Sequence, residues 1–351
     1  MDQCDAGTGR SAQLTEFWSG GVRKKWTSTT WTQDNTALTF PQNPRVIEVN
    51  IYDEAGNHRR TTIAYTSYNL PSVVREWTGA GAATLYRQTA TGYRFDGEYL
   101  NRRIIGLVDN VQVTDGAGAL VAKTTYAYDW GGSDMFLDTP AAATQHDRTN
   151  YGPSLIYGRG NRSQMARWDI NDPQNANGTA VETKWRMNST GSVLLARDHL
   201  WHQTTFDYAD SFSDGVNRNT FAFPTTVTDA EGNYSTVQYN YDFAAVTRTH
   251  APTSGTGGGT TYVDEVRTYD PFGRLDRVTN QTNNAYARFV YDLNLNLVHT
   301  YQTMIDLTTA NEFHSWQVLD GAGRVRATAS DHPGSAGGLR ASTSFTTMWD
   351  E

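Results

Sequence analysis

The chain has 351 residues with 38% hydrophobic and 19% charged, a formal net charge of −8, and 19 Tyr and ten Trp. The charged share sits below the ~25% usual in globular domains, and Thr, Asn, Ser, Gly and aromatics fill the gap, the palette of half-buried strands and tight turns. The acidic balance argues against a nucleic-acid partner, no apolar run reaches the ~18 residues of a membrane span, and the lone Cys4 excludes an internal disulfide and every Cys-based zinc pattern. The opening Met1 to Asp5 lacks the basic and apolar regions of a secretory signal and reads as the start of a fragment.

Residues 1–45 carry Trp18, Trp26 and Trp31 among many Thr, and read as lead-in strands of the sheet that follows. From 46 to 330 a phrase recurs, the first thing to look for in a chain of this length. It runs Tyr52-Asp53-Glu54-Ala55-Gly56-Asn57, with Thr62 and Tyr65 beyond. It returns as Thr114-Asp115-Gly116-Ala117-Gly118-Ala119, leading to Tyr126-Ala127-Tyr128-Asp129. Degenerate copies follow at Tyr157-Gly158-Arg159-Gly160-Asn161 and at Asn188-Ser189-Thr190-Gly191 with Phe206-Asp207-Tyr208. The next full copy is Thr228-Asp229-Ala230-Glu231-Gly232-Asn233, ending at Tyr239-Asn240-Tyr241-Asp242. The cleanest is Tyr269-Asp270-Pro271-Phe272-Gly273-Arg274, leading to Tyr291-Asp292, and a last is Leu319-Asp320-Gly321-Ala322-Gly323-Arg324. Residues 331–351 read as a continuation of the array.

Each unit predicts a β-hairpin. In Asp-x-x-Gly the Asp opens a type I turn and caps a backbone N–H, while Gly supplies the positive φ of a G1 bulge. Beyond the turn, period-2 alternation puts Tyr126 with Tyr128, Tyr239 with Tyr241, and Leu293, Leu295 and Leu297 on common faces. Helical periodicity is nearly absent, so the fold class is all-β, a continuous array of hairpins. Loops rather than domain linkers are expected at Asp172 to Gly178, Asp210 to Asn219, Pro252 to Gly259 and His332 to Gly338.

The ordered phrases resemble the RHS/YD-repeat family, and the resemblance covers most of residues 46–330. Arg159-Gly160-Asn161-Arg162 with Trp168, Thr204 to Asp210, and Ala222 to Thr228 agree with it. A single Asp-x-x-Gly is a generic turn; five ordered copies with matching tails are specific. The resemblance implies a curved or spiral sheet, part of a hollow β-shell. It also implies a bacterial protein, secreted or at the cell surface, that encloses or presents a toxin polypeptide, or else an adhesive surface for cell-surface glycans. Its partners would be that enclosed polypeptide or further repeats of the same parent chain. The core motif that follows the repeats in full-length members is missing. The chain therefore reads as an internal or truncated segment, about seven units of a longer array.

Chemistry-bearing candidates give way to plainer readings. The repeated Asp53, Asp115, Asp229, Asp270 and Asp320 are too sparse for the six to eight oxygens of a Ca²⁺ site and read as turn caps. Counting back from Gly178 as the sixth loop position puts Pro173 first, which cannot supply a carboxylate. His199-Leu200-Trp201-His202 would share a metal on a helix, but on the strand its surroundings favour the two imidazoles diverge. Gly255 to Thr260 lacks the Lys-Ser/Thr and helix of a phosphate loop. No nucleophile elbow is present, and nothing singles out a carboxylate pair for glycoside cleavage. The expectation is a non-enzymatic protein with no cofactor and no metal. Its Tyr-x-Tyr pairs read as cross-strand packing, with sugar stacking or lining of a cavity as the alternatives.

Overall fold

The computed structural model describes residues 12–35, 37, 42–129, 143–170, 180–254, 260–304, 311–331 and 339–343. Cys4 and the expected loops at 172–178 and 332–338 lie outside them, as do residues 255–259 of the loop expected from Pro252 to Gly259; Pro252, Thr253 and Ser254 instead extend the strand Val246–Ser254, held by pairing with Tyr262, Thr261 and Thr260. The described residues form 22 strands and only two four-residue α-helices, so the chain is all-β. They divide into two compact units, Met1–Ala141 with His146–Gln203, and Ala142–Gln145 with Thr204–Glu351.

The first unit holds β1 (Ala12–Ser19), β2 (Val22–Thr32), β3 (Arg45–Asp53), β4 (His58–Tyr65), β5 (Pro71–Thr78), β6 (Thr84–Tyr93), β7 (Val108–Asp115), β8 (Leu120–Tyr128), β9 (Arg162–Trp168), β10 (Ala180–Met187) and β11 (Val193–Arg197). Within this unit consecutive strands pair antiparallel. The Trp-rich lead-in residues supply β1 and β2, and Trp26 of β2 stacks on Tyr52 of β3 at 4.8 Å between ring centres. Two short helices interrupt the meander: α1 (Gly97–Leu100) between β6 and β7, and α2 (Arg148–Tyr151) between β8 and β9.

The second unit takes β12 (Gln203–Asp207) from Thr204 on, then β13 (Thr226–Thr228), β14 (Tyr234–Tyr239), β15 (Val246–Ser254), β16 (Thr260–Tyr269), β17 (Leu275–Asn280), β18 (Tyr286–Asp292), β19 (Leu297–Thr303), β20 (Glu312–Leu319), β21 (Val325–Asp331) and β22 (Leu339–Thr343). These too pair antiparallel in chain order. Most described side chains in both units are half-exposed, and the fully buried apolar ones are few: Ala82, Tyr99, Ala166, Phe212, Tyr239 and Tyr286. Such a meander gains its stability along the sheet, from ladders and cross-strand pairs, more than from a thick core.

Two alternation expectations need correcting. Tyr241 is not a strand partner of Tyr239: β14 ends at Tyr239, and Tyr241 lies in a turn closed by the Asn240 amide on the Ala245 carbonyl. Leu293 and Leu295 likewise lie in the turn between β18 and β19, 69% and 62% exposed, and only Leu297 enters a strand. In both cases an Asx side chain caps the turn, Asn240 accepting from the Asp242 amide and Asp292 from those of Asn294 and Leu295. That local bond overrides the period-2 pattern.

Candidate functional site

The repeat residues build one device many times. In Asp53–Asn57 the Asp53 carboxylate accepts the amides of Ala55 and Asn57 at 3.0 and 2.8 Å on Oδ1. Its Oδ2 accepts the Asn57 side-chain amide at 2.6 Å. Gly56 has φ 80° and donates to the Asp53 carbonyl at 3.1 Å. The same bonds recur from Asp229 to Asn233 around Gly232. They recur from Asp270 to Arg274 around Gly273 and from Asp320 to Arg324 around Gly323, where an Arg Nε replaces the Asn amide. The Asp115 turn around Gly118 has the two backbone bonds alone, because the fifth residue is Ala119. The Asn-or-Arg choice at that fifth position thus has a physical cause: both carry a donor that reaches the second carboxylate oxygen.

These donors hold several carboxyls below the usual range. The Asn57 side chain is the largest influence on Asp53, the Asn233 side chain on Asp229, and the Arg324 amide on Asp320. At Asp270 desolvation pushes upward and is outweighed by the Arg274 amide and guanidinium.

His199-Leu200-Trp201-His202 proves to be another copy, not a strand. Asp198 accepts the amides of Leu200 and His202 at 2.9 Å each, and His202 Nδ1 lies 3.0 Å from its Oδ2. Trp201 occupies the glycine position with φ 71°. The signal was present in the Asp three residues before Trp201, hidden because Trp stood where Gly was expected. Among the described residues no group of three or more His, Cys, Asp or Glu is arranged to hold a metal ion.

A second device was not legible. Six tyrosines donate their hydroxyl to a main-chain carbonyl at the start of the preceding strand, or just before it: Tyr65 to Val46, Tyr93 to Pro71, Tyr128 to Val108, Tyr239 to Pro224, Tyr269 to Val246 and Tyr291 to Leu275. At five of them, Tyr291 being the exception, the register shifts immediately before the Tyr. The bulge re-aims the ring along the sheet. The last Tyr of the strand is thus a latch across the open end of its hairpin, and for Tyr65, Tyr128 and Tyr239 the closed end of that same hairpin is clamped by Asp53, Asp115 and Asp229. Tyr126 sits in β8 opposite Met165 and Tyr52 is stacked between Trp26 and His58, so these two act by packing.

The first unit departs from this plan around Asp129. Asp129, at φ 51°, sends its carboxylate to the amides of Arg159, Gly160 and Asn161 at 2.8, 2.8 and 2.9 Å, some thirty residues along the chain. The Arg159 guanidinium reaches four carbonyls: Leu155 at 2.6 Å, Ser189 and Gly152 at 2.7 Å, and Tyr151. Asn188 closes its own turn, accepting the Thr190 and Ser192 amides at 3.0 Å. Beside them Tyr99 of α1 is 2% exposed, its hydroxyl 3.3 Å from the Tyr128 carbonyl. Burial, and then the charge of Asp129, push that hydroxyl's pKa well up.

These loops bound a cavity of about 420 Å³ lined by Arg102, Ile104, His146, Tyr151, Gly158, Arg159, Asn161, Ser189, Thr190 and Gly191. The Oγ of Ser189, a residue 1% exposed, and the Nε2 of His146 have no hydrogen-bond partner among the described residues. Sequence reasoning placed Arg159-Gly160-Asn161 and Asn188-Ser189 in degenerate repeats and missed that they meet here. No local pattern reports a contact between residues thirty positions apart.

The second unit carries a shallower groove of about 350 Å³ along β14–β16, lined in part by Tyr234, Gln238, Arg248, His250 and Asp264. Asp264 accepts from Arg248 at 2.6 Å and lies 2.6 Å from His250 Nδ1, which together hold its carboxyl low, Arg248 foremost. His250, Tyr234 and Tyr262 form a cluster of three rings in mutual contact, with His250 stacked on Tyr262 at 4.6 Å between ring centres.

No family model and no curated protein sequence matches the chain. Solved structures align with it weakly. TcdB2-TccC3-Cdc42 does so over 95% of this chain and 20% of that one, at 11% identity and a TM-score of 0.27. The Photorhabdus luminescens Tc holotoxin pore (TccC3-D651A) aligns over 95% and 26%, at 9% identity and 0.30. A porin-like protein from Bacteroides uniformis aligns over 75% and 91%, at 12% identity and 0.23. The chain spans about a fifth of the length of the first. TM-scores of this size assign neither family nor activity.

Proposed function

We propose that the chain is a non-enzymatic wall segment of an RHS-type β-shell, in a bacterial protein acting outside the cell or at its surface, that encloses or presents a toxin polypeptide. One observation carries this reading: the residues that recur are spent on the main chain. The motif Asp accepts its own turn's amides, and the strand-ending Tyr donates to a carbonyl one strand back. A motif selected to bind or to catalyse would leave some of those groups facing a ligand; a motif selected to build wall would not. Neighbouring strands then propagate the sheet as far as the parent chain continues. Among the described residues no helix is long and apolar enough to cross a membrane. Partners on this reading are further repeats of the parent chain and the enclosed polypeptide.

Protease protection in the full natural gene product tests this. A segment outside residues 1–351 should resist digestion while the wall is intact and become sensitive once hairpins are opened by substitution of motif Asp and Tyr residues. Equal sensitivity before and after would sink the enclosure reading.

A second reading, an adhesive surface for glycans, is favoured by the β14–β16 groove. There an exposed aromatic ring, Tyr234, stands beside a paired carboxylate and guanidinium, the combination that stacks on and hydrogen-bonds a sugar. Saturable binding of the isolated chain on a glycan array, lost in Tyr234→Ala, would move the assignment to that reading.

A further inference from the structure

We infer that the cavity of the first unit is an oxyanion site, taking a carboxylate or phosphate group, with Arg102 as its charged anchor. The inference is independent of whether the sheets enclose anything.

Charge comes first. Two guanidiniums line the cavity and no carboxylate does. Of the described carboxylates on these loops, that of Asp129 is satisfied by three backbone amides, and that of Asp147, next to His146, by the Asn150 main-chain and side-chain amides. Arg159 is committed, its guanidinium bonded to the carbonyls of Leu155, Ser189, Gly152 and Tyr151. Arg102 has no such commitment among the described residues: its backbone amide bonds the Tyr99 carbonyl, but its guanidinium, at the same cavity, makes neither hydrogen bond nor ion pair. An exposed arginine with a free planar fork at the mouth of a polar cavity is the group that recognises a carboxylate or phosphate two oxygens at a time.

Donors come second. Ser189 Oγ is a buried hydroxyl without a partner, and His146 Nε2 is a second buried polar atom in the same position. Buried polar atoms are nearly always paired, and those that are not call for a reason. Both belong to residues that line this cavity, and as an O–H and, in one tautomer, an N–H, both can donate.

Shape comes third. Gly158 has φ 80°, and a Cβ there would stand 3.0 Å from Arg102 Nε and 3.1 Å from the Glu98 carbonyl oxygen. The positive φ favours glycine here, and its lack of a Cβ leaves room for Arg102 Nε close against the loop. The volume, about 420 Å³, suits a small ligand or the acidic end of a larger one.

Titrating the intact chain with sodium phosphate and, separately, sodium acetate at constant ionic strength tests this, read by calorimetry and by backbone amide shifts. One equivalent of at least one anion should bind saturably in the millimolar range or tighter, and the amides of Gly158, Thr190 and Gly191 should move. Preference for phosphate or for acetate identifies the oxyanion. Arg102→Gln should weaken binding at least tenfold with an unchanged unfolding midpoint, and Ser189→Ala several-fold. The inference is overturned if neither anion saturates, if the shifts map elsewhere, or if Arg102→Gln binds as the parent does. Should Arg102→Gln fail to fold, the shift map on the unaltered chain decides alone.

Discussion

Asp270 in the second unit and Asp129 in the first make the same bond, a carboxylate on backbone amides, for different ends. Asp270 caps the turn it opens, reaching residues two and four positions on. Asp129 caps a loop thirty residues away and, with Arg159, gathers the 151–161 and 188–192 segments into one cluster. A local cap makes a unit that can be repeated; a distant cap makes a place that occurs once. The difference separates a repeated turn from a single cluster within one chemistry, and it can be broken from either side.

The largest effect is expected at the distant hub. Arg159→Ala removes the donor shared by four carbonyls, of which Ser189 belongs to a buried residue. Leaving such acceptors unmatched should cost about 3 kcal/mol, read as a shifted denaturant midpoint for the first unit. A cost under about 1 kcal/mol would mean that the cluster is held by something other than Arg159.

At the local cap, Gly273→Val should cost about 2 kcal/mol, because a β-branched residue resists the φ of 76° at that position. The nearest atoms to an added Cβ are those of the Phe243 ring at 3.7 Å, so the cost is conformational and not a clash. Acid should open the same turn. Asp270 is held below its unfolded value, so its contribution is present above about pH 4 and is lost as pH falls through the folded value. Asp270→Asn should flatten that part of the acid-unfolding curve, and an unchanged curve would remove the clamp from the account.

Smaller again is the latch. Tyr269→Phe deletes one hydroxyl bonded to the Val246 carbonyl at 2.6 Å and leaves the ring in place. The expected loss is about 1 kcal/mol, measured by equilibrium unfolding. A neutral result would return these tyrosines to packing alone.

How much of this the sequence showed follows the same division. The Asp-x-x-Gly turns were legible because every partner lies within five residues, and with them the all-β class. The tyrosine latch was not, because the carbonyl it bonds has no side-chain signature. Tyr241, Leu293 and Leu295 were misread because an alternating pattern continues past the strand end, where Asn240 and Asp292 turn the chain. The cavity was invisible for the reason that makes Asp129 differ from Asp270: it depends on contacts spanning some thirty residues.

The smallest expected effect tests the local rule by reversing it. Trp201 holds the glycine position of the Asp198 turn at φ 71°, with Arg197 over its ring at 4.0 Å and 68% of the residue exposed. A left-handed backbone costs a non-glycine residue roughly 1–2 kcal/mol, while an exposed cation–π pair returns roughly 0.5–1 kcal/mol. The first term is the larger, so Trp201→Gly should raise the stability of the first unit by about 0.5 kcal/mol. A substitution that deletes a large aromatic side chain would then stabilise, an outcome that follows only if this stretch is a turn. A loss of 1 kcal/mol or more would show that the Trp201 ring is packed for a purpose the turn geometry does not supply.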